Sequence, residues 1–190
     1  MTSIVLTAII VFVATNLDDL IILMLFFSQK GRLGPIYSII LGKYLGFTAL
    51  VVASLMGFFG GLLIPENWIR LLGVIPLIIG IKSLFDLRKN EQEIQLTNTQ
   101  QINSKIIYVA GITIANGGDN IGVYLSLFSQ VNLPTLIITL VTFYLLVGVW
   151  CWLAYRLVSN KIIAKVFVKY GKQFTPFLLM FLGIYILLKP

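Results

Sequence analysis

The chain has 190 residues, 58% of them hydrophobic and 11% charged, with a mean hydropathy of +0.98 and a formal net charge of +7. That composition excludes a soluble globular domain and implies an integral membrane protein. The positive charge does not point to nucleic acid, because the basic residues fall where membrane topology would put them.

A membrane-spanning helix needs roughly 20 apolar residues. Six stretches qualify, at about 3 to 27, 35 to 60, 67 to 85, 106 to 128, 134 to 156 and 173 to 189. The first has no basic start and no small-residue cleavage site, so it reads as a retained span and not a signal peptide. Lys30 and Arg32 follow it; Lys82, Arg88, Lys89 and Lys105 flank the loop after the third stretch; Arg156, Lys161, Lys165, Lys169 and Lys172 lie after the fifth. The opposite side keeps Arg70 and Lys189. By the positive-inside rule both termini are expected outside, with the first, third and fifth loops in the cytoplasm.

Within the first span, Ala14-Thr15-Asn16-Leu17-Asp18-Asp19-Leu20 sets two carboxylates in an apolar run. An aspartate deep in a bilayer costs a few kcal/mol or more, so such a residue is a candidate ion or proton site. The second span carries Gly42 and Gly46, four residues apart, which allow close approach of another helix from the same chain or from a second copy in a homo-oligomer. Between them stands Lys43, open to two readings. Its ammonium snorkels to the headgroups, or it is a tethered cation competing with substrate for Asp18 or Asp19.

The third span contains Pro76, expected to kink it, and ends near Gly80-Ile81-Lys82. Residues 86–105 are polar and aperiodic, and read as a cytoplasmic linker. The fourth span then repeats the first. With Asp18 set on Asp119, Ala14, Phe27, Ser28 and Gln29 meet Ala115, Phe128, Ser129 and Gln130, five identities over sixteen ungapped positions. Tyr44 and Tyr144 correspond one residue out of register, and Gly80-Ile81 recurs as Gly183-Ile184. The expected architecture is an all-α integral membrane protein of six transmembrane helices, arranged as two inverted three-helix repeats at 1–85 and 106–190. Inverted repeats of this kind place binding sites near the midplane, where the paired helices meet.

Every acid in an expected span falls in one of the two matching stretches; Glu66, Asp86, Glu91 and Glu93 lie in loops. Asp18, Asp19 and Asp119, with Asn16, Asn116 and Asn120, supply oxygen donors of the kind a hard divalent cation takes, and Thr15 adds a hydroxyl. Three carboxylates exceed a divalent charge by one, which a bound proton would offset. Gly117-Gly118 is a poor helix interior, so the fourth helix is expected to break there and restart at an Asp119 or Asn120 cap, with Asn16 or Asp18 doing likewise in the first. No histidine exists, and one Cys151 makes neither a disulfide nor a thiolate cluster. Nor is there a pairing of Ser or Cys with His to support an enzyme, and no cofactor is expected. Lys161, Lys165, Lys169 and Lys172 recur at helical spacing and suit a short basic helix on the cytoplasmic leaflet.

Asp18-Asp19-Leu20-Ile21-Ile22-Leu23, Gly42-Lys43-Tyr44-Leu45-Gly46, Gly80-Ile81-Lys82 and Gly117-Gly118-Asp119-Asn120-Ile121-Gly122-Val123-Tyr124 together resemble the cadmium resistance transporter family, within the lysine-exporter superfamily. The similarity implies two three-helix repeats, a plasma membrane location and export of cadmium or a related divalent cation. The oxygen donor set leans toward harder ions such as Mn²⁺ or Ca²⁺. Two other readings stand beside it: an exporter of cationic amino acids or amines, and a cation channel or sequestering membrane protein.

Overall fold

The computed structural model describes residues 2–28, 35–61 and 102–158, with further helical positions at 74–75, 77–78, 81, 177, 180–181, 184 and 187. The body of the expected third and sixth spans, Pro76, Lys82, most of the linker and the basic stretch from Lys161 to Lys172 lie outside the described residues. Five helices are described: α1 (Thr2–Ser28), α2 (Ile36–Gly61), α3 (Ile102–Asn116), α4 (Gly118–Phe128) and α5 (Leu133–Val158). Among the described residues there is no strand.

Three of these helices are long and apolar enough to cross a bilayer: Thr2–Ser28, Ile36–Gly60 and Leu133–Val158. At 1.5 Å per residue each reaches about 40 Å, more than the roughly 30 Å hydrocarbon core. Large apolar side chains such as Leu6, Met56, Phe59, Ile107, Leu145 and Trp152 stay exposed on the outer faces, as a lipid-facing surface requires. α3 and α4 together cover the fourth expected span as two pieces, and α3 begins at Ile102, inside the expected linker.

The break between α3 and α4 falls at the expected place but is built differently. Gly117 is the N-cap of α4 and offers no side-chain cap, while Asp119 lies in the first turn, where its carboxylate accepts the Asn120 N–H at 3.0 Å. An acid in that position is favoured by the positive end of the helix dipole. The Ile121 amide reaches back to the Gly117 carbonyl over a stretched 3.4 Å. The corresponding break expected in the first helix does not occur: α1 is continuous from Thr2 to Ser28. The Thr15 hydroxyl bonds back to the Val11 carbonyl at 3.0 Å and the Asn16 amide to the Phe12 carbonyl at 2.9 Å, so both side chains are engaged by the turn behind them instead of capping a new one. α5 opens on a side-chain cap, with Asn132 Oδ1 accepting the Thr135 N–H at 3.1 Å.

α2 runs along α3 and α4 in the same sense. A Cβ built on Gly42 would lie 2.6 Å from Val109 Cβ, one on Gly46 would lie 2.6 Å from Thr113 Cβ, and Gly57 meets the Leu125 carbonyl. The small-residue stripe of α2 is thus used within the chain, against α3. α1 runs beside α5, also in the same sense: Phe12 packs edge-on to Trp150 at 5.3 Å, and farther along Phe27 packs on Tyr155 at 5.6 Å. The two helix pairs meet through buried rings, with Phe12 to Phe47 at 5.9 Å and Tyr124 to Phe143 at 4.9 Å. Tyr44 and Tyr144 stack at 6.2 Å, and the Tyr44 hydroxyl donates to the Tyr144 carbonyl at 3.1 Å.

Candidate cation site

Beside this aromatic layer lies a buried polar cluster, and each member reaches it for a local reason. Asn16 and Asp19 are three residues apart on α1, so they share a face. Asn120 and Tyr124 are four apart on α4 and do the same. Asn16 Nδ2 donates to the Tyr124 hydroxyl at 2.7 Å and to Thr15 Oγ1 at 2.8 Å, and Thr15 shares a 3.0 Å bond with the same tyrosine. Trp150 Nε1, from α5, donates to the Asn16 carbonyl at 2.8 Å. One turn on, Asn116 Nδ2 donates to Asp19 Oδ1 at 3.1 Å. Residue numbers rise along α1 as they fall along the facing segment, so α1 and the broken helix are antiparallel.

Lys43 enters this cluster from α2. Its ammonium pairs with Asp19 Oδ2, and the two side chains are 1% and 2% exposed. The snorkelling reading therefore fails. Lys43 lies seven residues inside α2, and its stem turns inward to a carboxylate that would otherwise be a lone charge in a dry interior. Removing one partner of a buried pair leaves such a charge and costs about 3–5 kcal/mol. The Lys43 ammonium also lies 6.0 Å from the Phe47 ring centroid.

The other two acids are half-buried. Adjacent residues on a helix point about 100° apart, so Asp18 and Asp19 face different sides of α1. Asp119 lies within electrostatic reach of Asp18 and, more weakly, of Asp19. Among the described residues no three carboxylate or thiolate side chains converge as a metal cluster. Asp19 is instead engaged by Lys43 and Asn116. Asn16 Oδ1 and both amide atoms of Asn120 are buried without a hydrogen-bond partner. Asn120 lies on the facing segment between Asn116 and Tyr124, the residues that reach Asp19 and Asn16, so these orphaned atoms belong to the same region. Buried polar atoms left unmatched cost about 1–3 kcal/mol each and call for a functional explanation.

A family model described as Cad, cadmium resistance transporter, matches residues 12–190. The chain belongs to this family. The match takes in both acidic stretches, all of α2 to α5 and the greater part of α1. The Cad family is one of transporters and not of enzymes, which agrees with the absence of a nucleophile and base pair from the sequence. No curated protein and no solved structure matches the chain significantly. Of the residues expected in the site of this Cad protein, the structure gathers Thr15, Asn16, Asp19, Lys43 and Asn116 by direct hydrogen bonds among themselves or to Tyr124. Tyr124 and Trp150 join the cluster from outside the expected site residues. Tyr124 closes the motif that begins at Gly117 and stands one turn past Asn120; nothing local marks Trp150. Cys151, the next residue along α5, is buried within electrostatic reach of Lys43 and Asp19.

Proposed function

We propose that this Cad protein is a secondary exporter of a divalent metal cation, cadmium or a related ion. The ion passes through a midplane site to which Asp18, Asp19 and Asp119 bring charge and Asn16, Asn116, Asn120 and Thr15 bring neutral oxygens. The observation that carries this reading is the meeting of two acid-bearing segments inside a transmembrane bundle: Asn116 bonds to Asp19, and Asp119 feels Asp18. The orphaned Asn16 and Asn120 oxygens are donors of the type a hard cation takes as it sheds water.

Helix directions support the inverted repeat. Exchanging the two repeats maps the α1–α5 pair onto α3–α4 with α2, and both pairs run in the same sense while α1 opposes the broken helix. That is the pattern two oppositely inserted three-helix units produce. The stacked Tyr44 and Tyr144, which correspond in the two units, touch each other as residues near a pseudo-two-fold axis do. Export against an inside-negative potential needs a driving ion, and the proton is the one we propose.

Uptake of Cd²⁺, Mn²⁺ and Ca²⁺ into everted vesicles, compared between wild type and Asp119→Asn, tests the site. Wild type is expected to accumulate at least one of these metals and the variant to lose that flux; metal uptake unchanged by the substitution refutes the site. Lumenal pH measured during the same uptake tests the coupling, with alkalinisation expected and a flux at constant pH contradicting it.

One observation favours a second reading, export of cationic amino acids or amines. The Lys43 side chain shows that Asp19 accepts a primary alkylammonium. Lysine uptake that persists with a metal chelator present would select that reading.

A further inference from the structure

Lys43 is the one buried basic side chain among the described residues, and it sits on a carboxylate assigned to the transported ion. Both partners are dry, so neither charge tolerates being left alone. An ion that takes Asp19 must displace the ammonium, and an ion that leaves must have its place taken. The lysine cannot diffuse away, because α2 holds it beside the site: Gly42 and Gly46 lock the helix turns on either side of Lys43 against α3, the helix that also carries Asn116. The competitor is therefore always present at the high effective concentration that tethering confers.

We propose that Lys43 is the release group of the transporter, a tethered cation that returns to Asp19 as the metal departs and so keeps that carboxylate from retaining a divalent ion. This rests on the export reading and adds to it the step that sets turnover. Lys43 then weakens ion binding by the same factor by which the ion weakens the Lys43–Asp19 pair, since coupling between two ligands is reciprocal.

The test is full-length protein in everted vesicles, with Cd²⁺ and Mn²⁺ as probes, comparing wild type, Lys43→Gln and Lys43→Arg. Lys43→Gln keeps length and polarity but loses the charge. Its half-saturating metal concentration is expected to fall by about 5- to 150-fold, the usual span of coupling between sites, and its maximal rate to fall with it. Metal added on the far side is expected to speed exit in Lys43→Gln more than in wild type, because a second ion supplies the missing competitor. A merely structural lysine would lower the rate without tightening binding and without that trans effect. Lys43→Arg keeps the charge and is expected to keep the wild-type half-saturation.

Equilibrium Cd²⁺ binding to each detergent-purified protein, with gel filtration to verify folding, gives a readout apart from flux. A folded Lys43→Gln that binds no more tightly than wild type overturns the proposal. If Lys43→Gln does not fold, tighter binding by Lys43→Arg overturns it instead. Wild-type vesicles that move neither metal refute the export reading itself, whereas wild-type flux with an unaltered Lys43→Gln refutes only the release role.

Discussion

Replacing Gly46 with alanine should separate the helices that bring Lys43 and Asn116 to Asp19. The added Cβ would lie 2.6 Å from Thr113 Cβ and 2.8 Å from the Ala110 carbonyl oxygen, where ordinary contact begins at 3.4 Å. Neither obstacle is the loose end of a side chain, so α2 and α3 must part by about 0.8 Å, the gap between the 2.6 Å approach to Thr113 and the 3.4 Å of ordinary contact. Overpacking of this kind costs about 1–3 kcal/mol. Alanine also returns about 1 kcal/mol of helix propensity, which Gly111→Ala on α3 isolates, because a Cβ there meets nothing within 4 Å. Reversible unfolding in detergent is the assay. Gly46→Ala should be about 1–3 kcal/mol less stable than Gly111→Ala, and metal uptake should drop with it, since Thr113 stands one turn before Asn116. Equal stability of the two variants would refute the claim that helix approach at Gly46 sets the site.

Other outcomes follow from single contacts. Asp19→Asn and Lys43→Gln should each cost about 3–5 kcal/mol of stability, while the double variant should cost clearly less than their sum, because it leaves no lone buried charge; additive costs would deny that the pair is dry. Trp150→Phe keeps a ring against Phe12 but loses the bond to the Asn16 carbonyl. Its expected cost is about 0.5–1.5 kcal/mol in the same unfolding assay. Tyr124→Phe removes the hydroxyl shared by Thr15 and Asn16. It should lower stability by about 1–3 kcal/mol and metal uptake with it; normal uptake would place Tyr124 outside the site.

Much of the fold is written in plain apolar length. The stretches expected at 3–27, 35–60 and 134–156 appear as Thr2–Ser28, Ile36–Gly61 and Leu133–Val158, because a helix all of whose faces are apolar has no competing use in water. The break at Gly117 was also legible, since paired glycines weaken any helix interior. What could not be read was which polar side chains would find partners across the bundle. Asn16 has the composition of a helix breaker, yet a tyrosine on α4 and a tryptophan on α5 occupy its surroundings and α1 stays whole. Lys43 stays open between snorkelling and competing for Asp18 or Asp19 because its position in α2 is local information, whereas the partner that decides between them lies on α1 and the glycines that hold the helix close act through α3. The acids drew attention by their cost in lipid; the direction each one faces is set by packing, which spacing along one helix does not disclose.

The proposed export depends on carboxylates from opposed helices acting on the same ion. Titration of purified protein with Cd²⁺ or Mn²⁺, comparing wild type with Asp18→Asn and with Asp119→Asn, tests this most directly. One ion bound per chain, weakened about tenfold or more by either substitution, is the expected result, since loss of a charged contact costs about 1.5–3 kcal/mol. Wild-type affinity in both variants, or a loss confined to one of the two helices, would contradict it.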